Sequence, residues 1–255
     1  MNDTNGRASR WLRVTIPALI VVAIAIVALI VVVLTDDDGE VSTSPTTTSG
    51  APTTTSTSTT TSTTSTTTTT MPSGAADTAV WPAPGSGIAV TDPVEAARRF
   101  ATEFVGFSDP VLGGYQGGDS RSGEVEVRPR AGGPVTTILL RQLGTDGSWS
   151  VLGTATANIE VDEPAGLATI ANPVRLSGRA FAFEGNVAVD IRADDGTILA
   201  TNHVTGRGDQ MGPFASELGY AAPPTERGAV LFRTYSAENG QVWEAGVVRV
   251  RFPPT

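Results

Sequence analysis

Hydrophobic and polar positions divide the 255-residue chain into regions with different periods. Val14 to Leu34 reads VTIPALIVVAIAIVALIVVVL, with no charged side chain. As a helix rising about 1.5 Å per residue this run is about 31 Å long, close to the roughly 30 Å hydrocarbon core of a bilayer. In lipid only a helix satisfies its own backbone, so the Val- and Ile-rich run is expected to be helical. Pro17 falls in the first turn, where a missing N–H costs least. Arg7, Arg10 and Arg13 precede the run, and Asp36, Asp37, Asp38 and Glu40 follow it. By the positive-inside rule the N-terminus is cytoplasmic. The run is longer than a signal-peptide core of about 7–15 residues, and Val32–Asp36 offers no small-x-small cleavage site, so it reads as an uncleaved signal anchor. The expected membrane helix spans 14–35. The cytoplasmic tail, 1–13, is too short to fold alone.

Periodicity then vanishes. Thr53 to Thr70 is an unbroken Ser/Thr tract, and with Ser42 to Pro52 it forms a stalk. It has too little apolar surface to offset chain entropy, so 36–80 is expected to be a disordered linker. A coil of about 40 residues spans roughly 35 Å on average, and O-glycosylation would stiffen it.

A helical period appears in 81–157. Asp92 can cap, Pro93 suits the first helical position, and Glu95 would complete a capping box. Val94, Ala97, Phe100, Ala101, Phe104 and Val105 share one arc, while Glu95, Arg99 and Glu103 share the other. Strand-like runs follow at Glu124–Arg128, Val135–Leu143 and Ser148–Thr156, with Thr145-Asp146-Gly147 as a hairpin turn. This predicts a small α+β domain with a helix on one face of an antiparallel sheet. It resembles the helix-on-curved-sheet domains of the cystatin-like and NTF2-like kinds.

In 158–255 nearly every run alternates with period two. Val187, Val189 and Ile191 oppose Asp190 and Arg192, and Val248, Val250 and Phe252 oppose Arg249 and Arg251. Strands are expected near 158–161, 174–184, 186–193, 197–205, 213–219, 228–236 and 243–252. Turn signals recur at about 8–12-residue spacing, which predicts a β-sandwich. Phe181, Phe183, Phe214, Tyr220, Phe232 and Trp243 are the expected large core side chains. The fold class is therefore mainly β: an immunoglobulin-like sandwich at the C-terminus, a small α+β domain before it, and an N-terminal membrane helix with a disordered linker.

Within 158–255, Leu176–Val187 (LSGRAFAFEGNV), Asp195-Gly196, Met211–Phe214, Leu218-Gly219-Tyr220 and Tyr235–Gly240 resemble the Gmad2 domain, the immunoglobulin-like domain of bacterial spore-germination proteins. That resemblance implies a bacterial, extracytoplasmic, non-catalytic sandwich.

Composition narrows the chemistry. With no Cys, disulfides, thiolate nucleophiles and Cys-ligated metals are excluded. One His, His203, excludes sites needing two imidazoles from one chain. The net charge of −9 argues against a nucleic-acid partner. All basic residues are Arg, which reflects a GC-rich genome rather than a function.

Each candidate motif has a simple structural explanation. His203 has no nucleophile motif beside it and reads as a structural or surface residue. Arg207-Gly208-Asp209 spells a cell-adhesion tripeptide in a loop, where chance accounts for it. Asp194-Asp195-Gly196 fits a hairpin turn better than a calcium cage, and Asp36 to Asp38 a solvated charge run. Glu160, Asp162 and Glu163 could do glycosidase chemistry only if they faced a cleft. Arg128, Arg130 and Arg141 could form an anion-binding face toward wall polymers. No catalytic, cofactor or metal residue is predicted. The expected protein is a membrane-anchored, extracytoplasmic binding or scaffolding protein of a bacterial envelope, germination-like in kind. Its expected partners are the membrane and an envelope protein or wall glycan. The alternatives are an envelope glycan hydrolase using paired carboxylates and a membrane sensor.

Overall fold

A computed structural model describes residues 77–254. The tail 1–13, the membrane run 14–35 and the tract 36–76 lie outside the described residues. Among those described, no helix is long and apolar enough to cross a membrane.

Helix α1 is Pro93–Arg99, continued by a wider π turn over Phe100–Val105. It begins as its sequence predicts: Asp92 Oδ1 accepts the Glu95 N–H at 2.7 Å, and Pro93 opens the first turn. The other half of the expected capping box gives way to an ion pair, because the Glu95 carboxylate is taken by Arg98. Arg99 pairs with Glu103 one turn on, as the spacing predicts. The helix ends at Gly106, at φ +98°, whose N–H and that of Phe107 both donate to the Ala101 carbonyl. Only glycine adopts that backbone without strain.

Among the described residues twelve strands follow, all antiparallel in their ladders: β1 Val111–Leu112, β2 Gln116–Gly117, β3 Ser122–Arg128, β4 Thr136–Arg141, β5 Ser150–Thr156, β6 Ile159–Glu163, β7 Val174–Ala180, β8 Asn186–Ala193, β9 Ile198–Thr205, β10 Gly212–Leu218, β11 Arg227–Tyr235 and β12 Val242–Arg251. The main sheet runs β1-β3-β4-β5-β12-β11-β8-β9, and β6-β7-β10 form a shorter layer. The seven strands from β6 onward lie within about two residues of their predicted ranges, apart from β7, which ends at Ala180 rather than 184. The two-residue strands β1 and β2 have no sequence signal.

Two hydrophobic cores lie on opposite faces of the main sheet. On one, α1 covers β3, β4 and β5, burying Phe100, Val105, Val125, Ile138 and Val151. On the other, β7 and β10 cover β8, β11 and β12, burying Leu176, Val189, Phe214 and Phe252. Strands β11 and β12 serve both. Ala229, Leu231, Ala245 and Val247 enter the helix-side core, while Val230, Phe232 and Val250 enter the sandwich core. A strand buried on both faces reads as a continuous apolar run, as in Ala229-Val230-Leu231-Phe232. The segments separated at 157/158 are joined by the β5–β12 and β5–β6 pairings.

Two expected core aromatics are outside. Phe181 is 39% and Phe183 60% exposed, because they continue the outward-facing register of Arg175 and Arg179, while Ala180 and Ala182 take the inward positions. The alternation runs on through Ala182, and the two rings fall on the face away from the sandwich core. Phe214, Tyr220 and Phe232 are buried as expected, and Trp243 is half-buried under the Arg130 guanidinium. Ala79 and Val80, counted with the linker from sequence, are buried, and Val80 donates to the Val151 carbonyl at 2.7 Å.

Because β11 is common to both cores, the Phe232→Ala variant should lower stability by about 3–5 kcal/mol. Urea unfolding followed by fluorescence of Trp81 and Trp149, which sit in the opposite core, should shift in the same single transition. Separate transitions for the two faces would refute the coupling.

Candidate functional site

The charged residues of β8, β11 and β12 do not all face water. Asp190 on β8 is 2% exposed, on the face opposite Val189 and Ile191. Arg192 Nη2 reaches its Oδ2 at 2.7 Å, Arg233 from β11 shares that oxygen, and Thr201 Oγ1 donates to Oδ1 at 3.0 Å. Both guanidinium groups then turn to the end of the helix. Arg192 Nη1 donates to the Phe104 carbonyl at 2.7 Å, and Arg233 Nη1 to that of Val105 at 3.3 Å. Carbonyls at a helix C-terminus lack intrahelical donors and carry partial negative charge. Two cations answer them, and one buried carboxylate bridges the two.

A second arginine group stands at the sheet end where residue 77 meets the fold. Arg249, 3% exposed, holds Asp194 with both terminal nitrogens and donates through Nε to the Asp77 carbonyl at 3.2 Å. The Asp77 carboxylate pairs with Arg227 and Arg251. The third buried polar group is Glu244 on β12, 2% exposed. It accepts from Thr156 Oγ1 and, at 2.9 and 3.1 Å, from Asn158 Nδ2. Burial raises its pKa, and the Thr156 and Asn158 hydrogen bonds lower it by less.

The sequence candidates lie apart from one another. His203 is exposed on β9. Arg207-Gly208-Asp209 lies in the β9–β10 loop, where the Arg207 carbonyl accepts the Ala182 N–H at 2.9 Å. Asp194-Asp195-Gly196 forms the β8–β9 turn, with Gly196 at φ +88° and Asp195 Oδ1 accepting the Thr197 N–H. The tie of Asp194 to Arg249 has no signal in the turn motif. Glu160 and Asp162 are exposed along β6, and Glu163 accepts from Ser177 and pairs with Arg175. Arg128 and Arg141 stand at opposite ends of the β3–β4 ladder, since Arg141 pairs with Ser122 and Val127 with Thr136. Arg128 binds Glu126 and the Gly133 carbonyl, and Arg130 binds Glu238. The three arginines therefore form no common face. Asp36 to Asp38 lie outside the described residues. Among the described residues, no group of three or more His, Asp or Glu side chains is placed to hold a metal ion.

The three-stranded layer β6-β7-β10 facing β12-β11-β8-β9 makes the C-terminal part an antiparallel immunoglobulin-like sandwich. Residues 158–241 match the Gmad2 family, the immunoglobulin-like domain of bacterial spore germination. No curated protein matches the chain. No solved structure matches it either.

Two outcomes test the polar groups. Asp190→Asn leaves two buried guanidinium groups without their counter-ion and should cost about 3–5 kcal/mol in chemical denaturation. A change within 0.5 kcal/mol, the range of a surface substitution, would show the cluster to be solvated. Glu244 predicts a pH slope. A carboxyl whose folded pKa lies above its ordinary 4.5 adds stability that is full below that value. The added stability is lost as pH rises through the raised value. Glu244→Gln should flatten the melting temperature against pH in that window, and an unchanged slope would assign it to other groups.

Proposed function

We propose that this chain is a single-pass protein of a bacterial cell envelope that displays a non-catalytic binding or scaffolding module outside the membrane. The observation that carries the reading is the Gmad2 match over 158–241, on a sandwich of the immunoglobulin-like kind. Such sandwiches serve as interaction modules through their loops and strand edges. The uncharged run from Val14 to Leu34 and the Arg-before, Asp-after flanks support an anchor with the N-terminus inside. The Ser/Thr tract supports a spacer whose length sets how far the folded unit stands from its anchor. In this reading the module docks an envelope protein or a wall glycan, and germination is one setting in which a Gmad2-type module would act.

Protease treatment of intact spheroplasts carrying the full-length chain tests the arrangement. The folded C-terminal part should be cleaved from the cells, because the Ser/Thr tract would be reached from outside. Full protection, with cleavage only after lysis, would reverse the topology. Recovery of the chain in the soluble fraction would remove the anchor from the proposal.

A further inference from the structure

The sheet edges of this protein are unequally guarded. An exposed edge strand offers unpaired N–H and C=O groups to any second strand, and proteins blunt such edges with short strands, prolines or charges. At one end of the main sheet the outer strands β1 and β2 are two residues long. In the smaller layer, the edge strand β10 carries Pro213 and Glu217. At the other end of the main sheet lies β9, Ile198–Thr205, ILATNHVT. It is eight residues long, with no proline and no Asp, Glu, Lys or Arg. Among the described residues its only ladder partner is β8. Ile198 is 55% exposed, and Thr201, Asn202 and His203 are exposed in succession.

The hydrogen bonds indicate which backbone groups point outward. The His203 N–H is not given to β8; it donates to the Asn202 side-chain oxygen at 2.9 Å. The Leu199 carbonyl accepts from the Ala221 N–H at 3.0 Å, beyond the ladder. Alternation then makes the odd positions, Thr201, His203 and Thr205, the outward set.

We propose that β9 is a self-association edge, pairing antiparallel with β9 of a second copy of this chain across a two-fold axis. Two-fold pairing sets each side chain near its own copy, so a charged strand repels itself. Among the described residues, β9 is the one edge strand longer than two residues without an Asp, Glu, Lys or Arg. Because outward positions must pair with outward positions, the two-fold axis can pass through Asn202. Thr201 then faces His203 of the other copy. Asn202 faces Asn202 in a pair without ladder hydrogen bonds, with Cα atoms about 4.5 Å apart. In forming the dimer, the His203 N–H exchanges its bond to the Asn202 side chain for a carbonyl of the second copy. Each dimer joins two main sheets into one.

The absence of cysteine makes the test direct. In the full-length chain in detergent micelles, Asn202→Cys places one thiol opposite its copy at a separation a disulfide spans. Mild oxidation should give a covalent dimer. Ala215→Cys, exposed on the proline-guarded β10, should stay monomeric under the same conditions. Sedimentation of the cysteine-free chain supplies a second measurement. The unsubstituted chain should show concentration-dependent dimerisation, and Asn202→Lys, which sets like charges face to face, should abolish it. Three results would each overturn the proposal: no Asn202→Cys dimer with a monomeric parent up to about 1 mM, equal cross-linking through position 215, or unchanged dimerisation of Asn202→Lys.

Discussion

Two strands with no solvent-facing side set the terms for the rest of this fold. Along β11 and β12, successive side chains enter different cores. The helix layer and the sandwich layer therefore depend on one floor. A cavity opened under Leu231 weakens the core that α1 also lines. A cavity under Phe232, its neighbour, acts on the same ladder from below. The coupling arises from the period of the strand, in which adjacent residues point to opposite sides of a shared sheet.

The same constraint explains where the arginines sit. α1 is short, and its last carbonyls come down over β8 and β11 rather than over water. Arg192 and Arg233 supply donors to those carbonyls, and Asp190 makes their burial tolerable. A helix end buried without such donors would leave polar groups unsatisfied. The hydroxyl of Thr201 on β9 completes the carboxylate's shell and draws the outermost strand into the same network. Glu244 is a different case. It is buried among neutral donors only, so its contribution depends on pH.

The strands were legible because each depends on local alternation and turn chemistry. Asp194-Asp195-Gly196 and Thr145-Asp146-Gly147 mark turns by residue type alone, and the helix start at Asp92-Pro93 is equally local. What could not be read was which surface covers which. Asp190 and Arg192 alternate with apolar neighbours in the way that solvent-facing residues do. Only the return of α1 across that face buries them. The exposure of Phe181 and Phe183 follows from the strand's period: they share the parity of Arg175 and Arg179, opposite Val174 and Leu176, and ring size alone does not set the face. Of the arginines considered as an anion-binding face, Arg128 and Arg141 were separated by register, which a single sequence does not specify.

The clamp at Asp77 has a mechanical meaning. Its side chain and its carbonyl are gripped by arginines from β11 and β12. Tension arriving through the preceding chain would therefore be delivered first to charged contacts on the two most deeply embedded strands. An outer strand would not be peeled away one rung at a time. Load introduced at that point has to strip ion pairs before it reaches the hydrophobic interior, so the folded unit is fastened by its keel rather than by its rim.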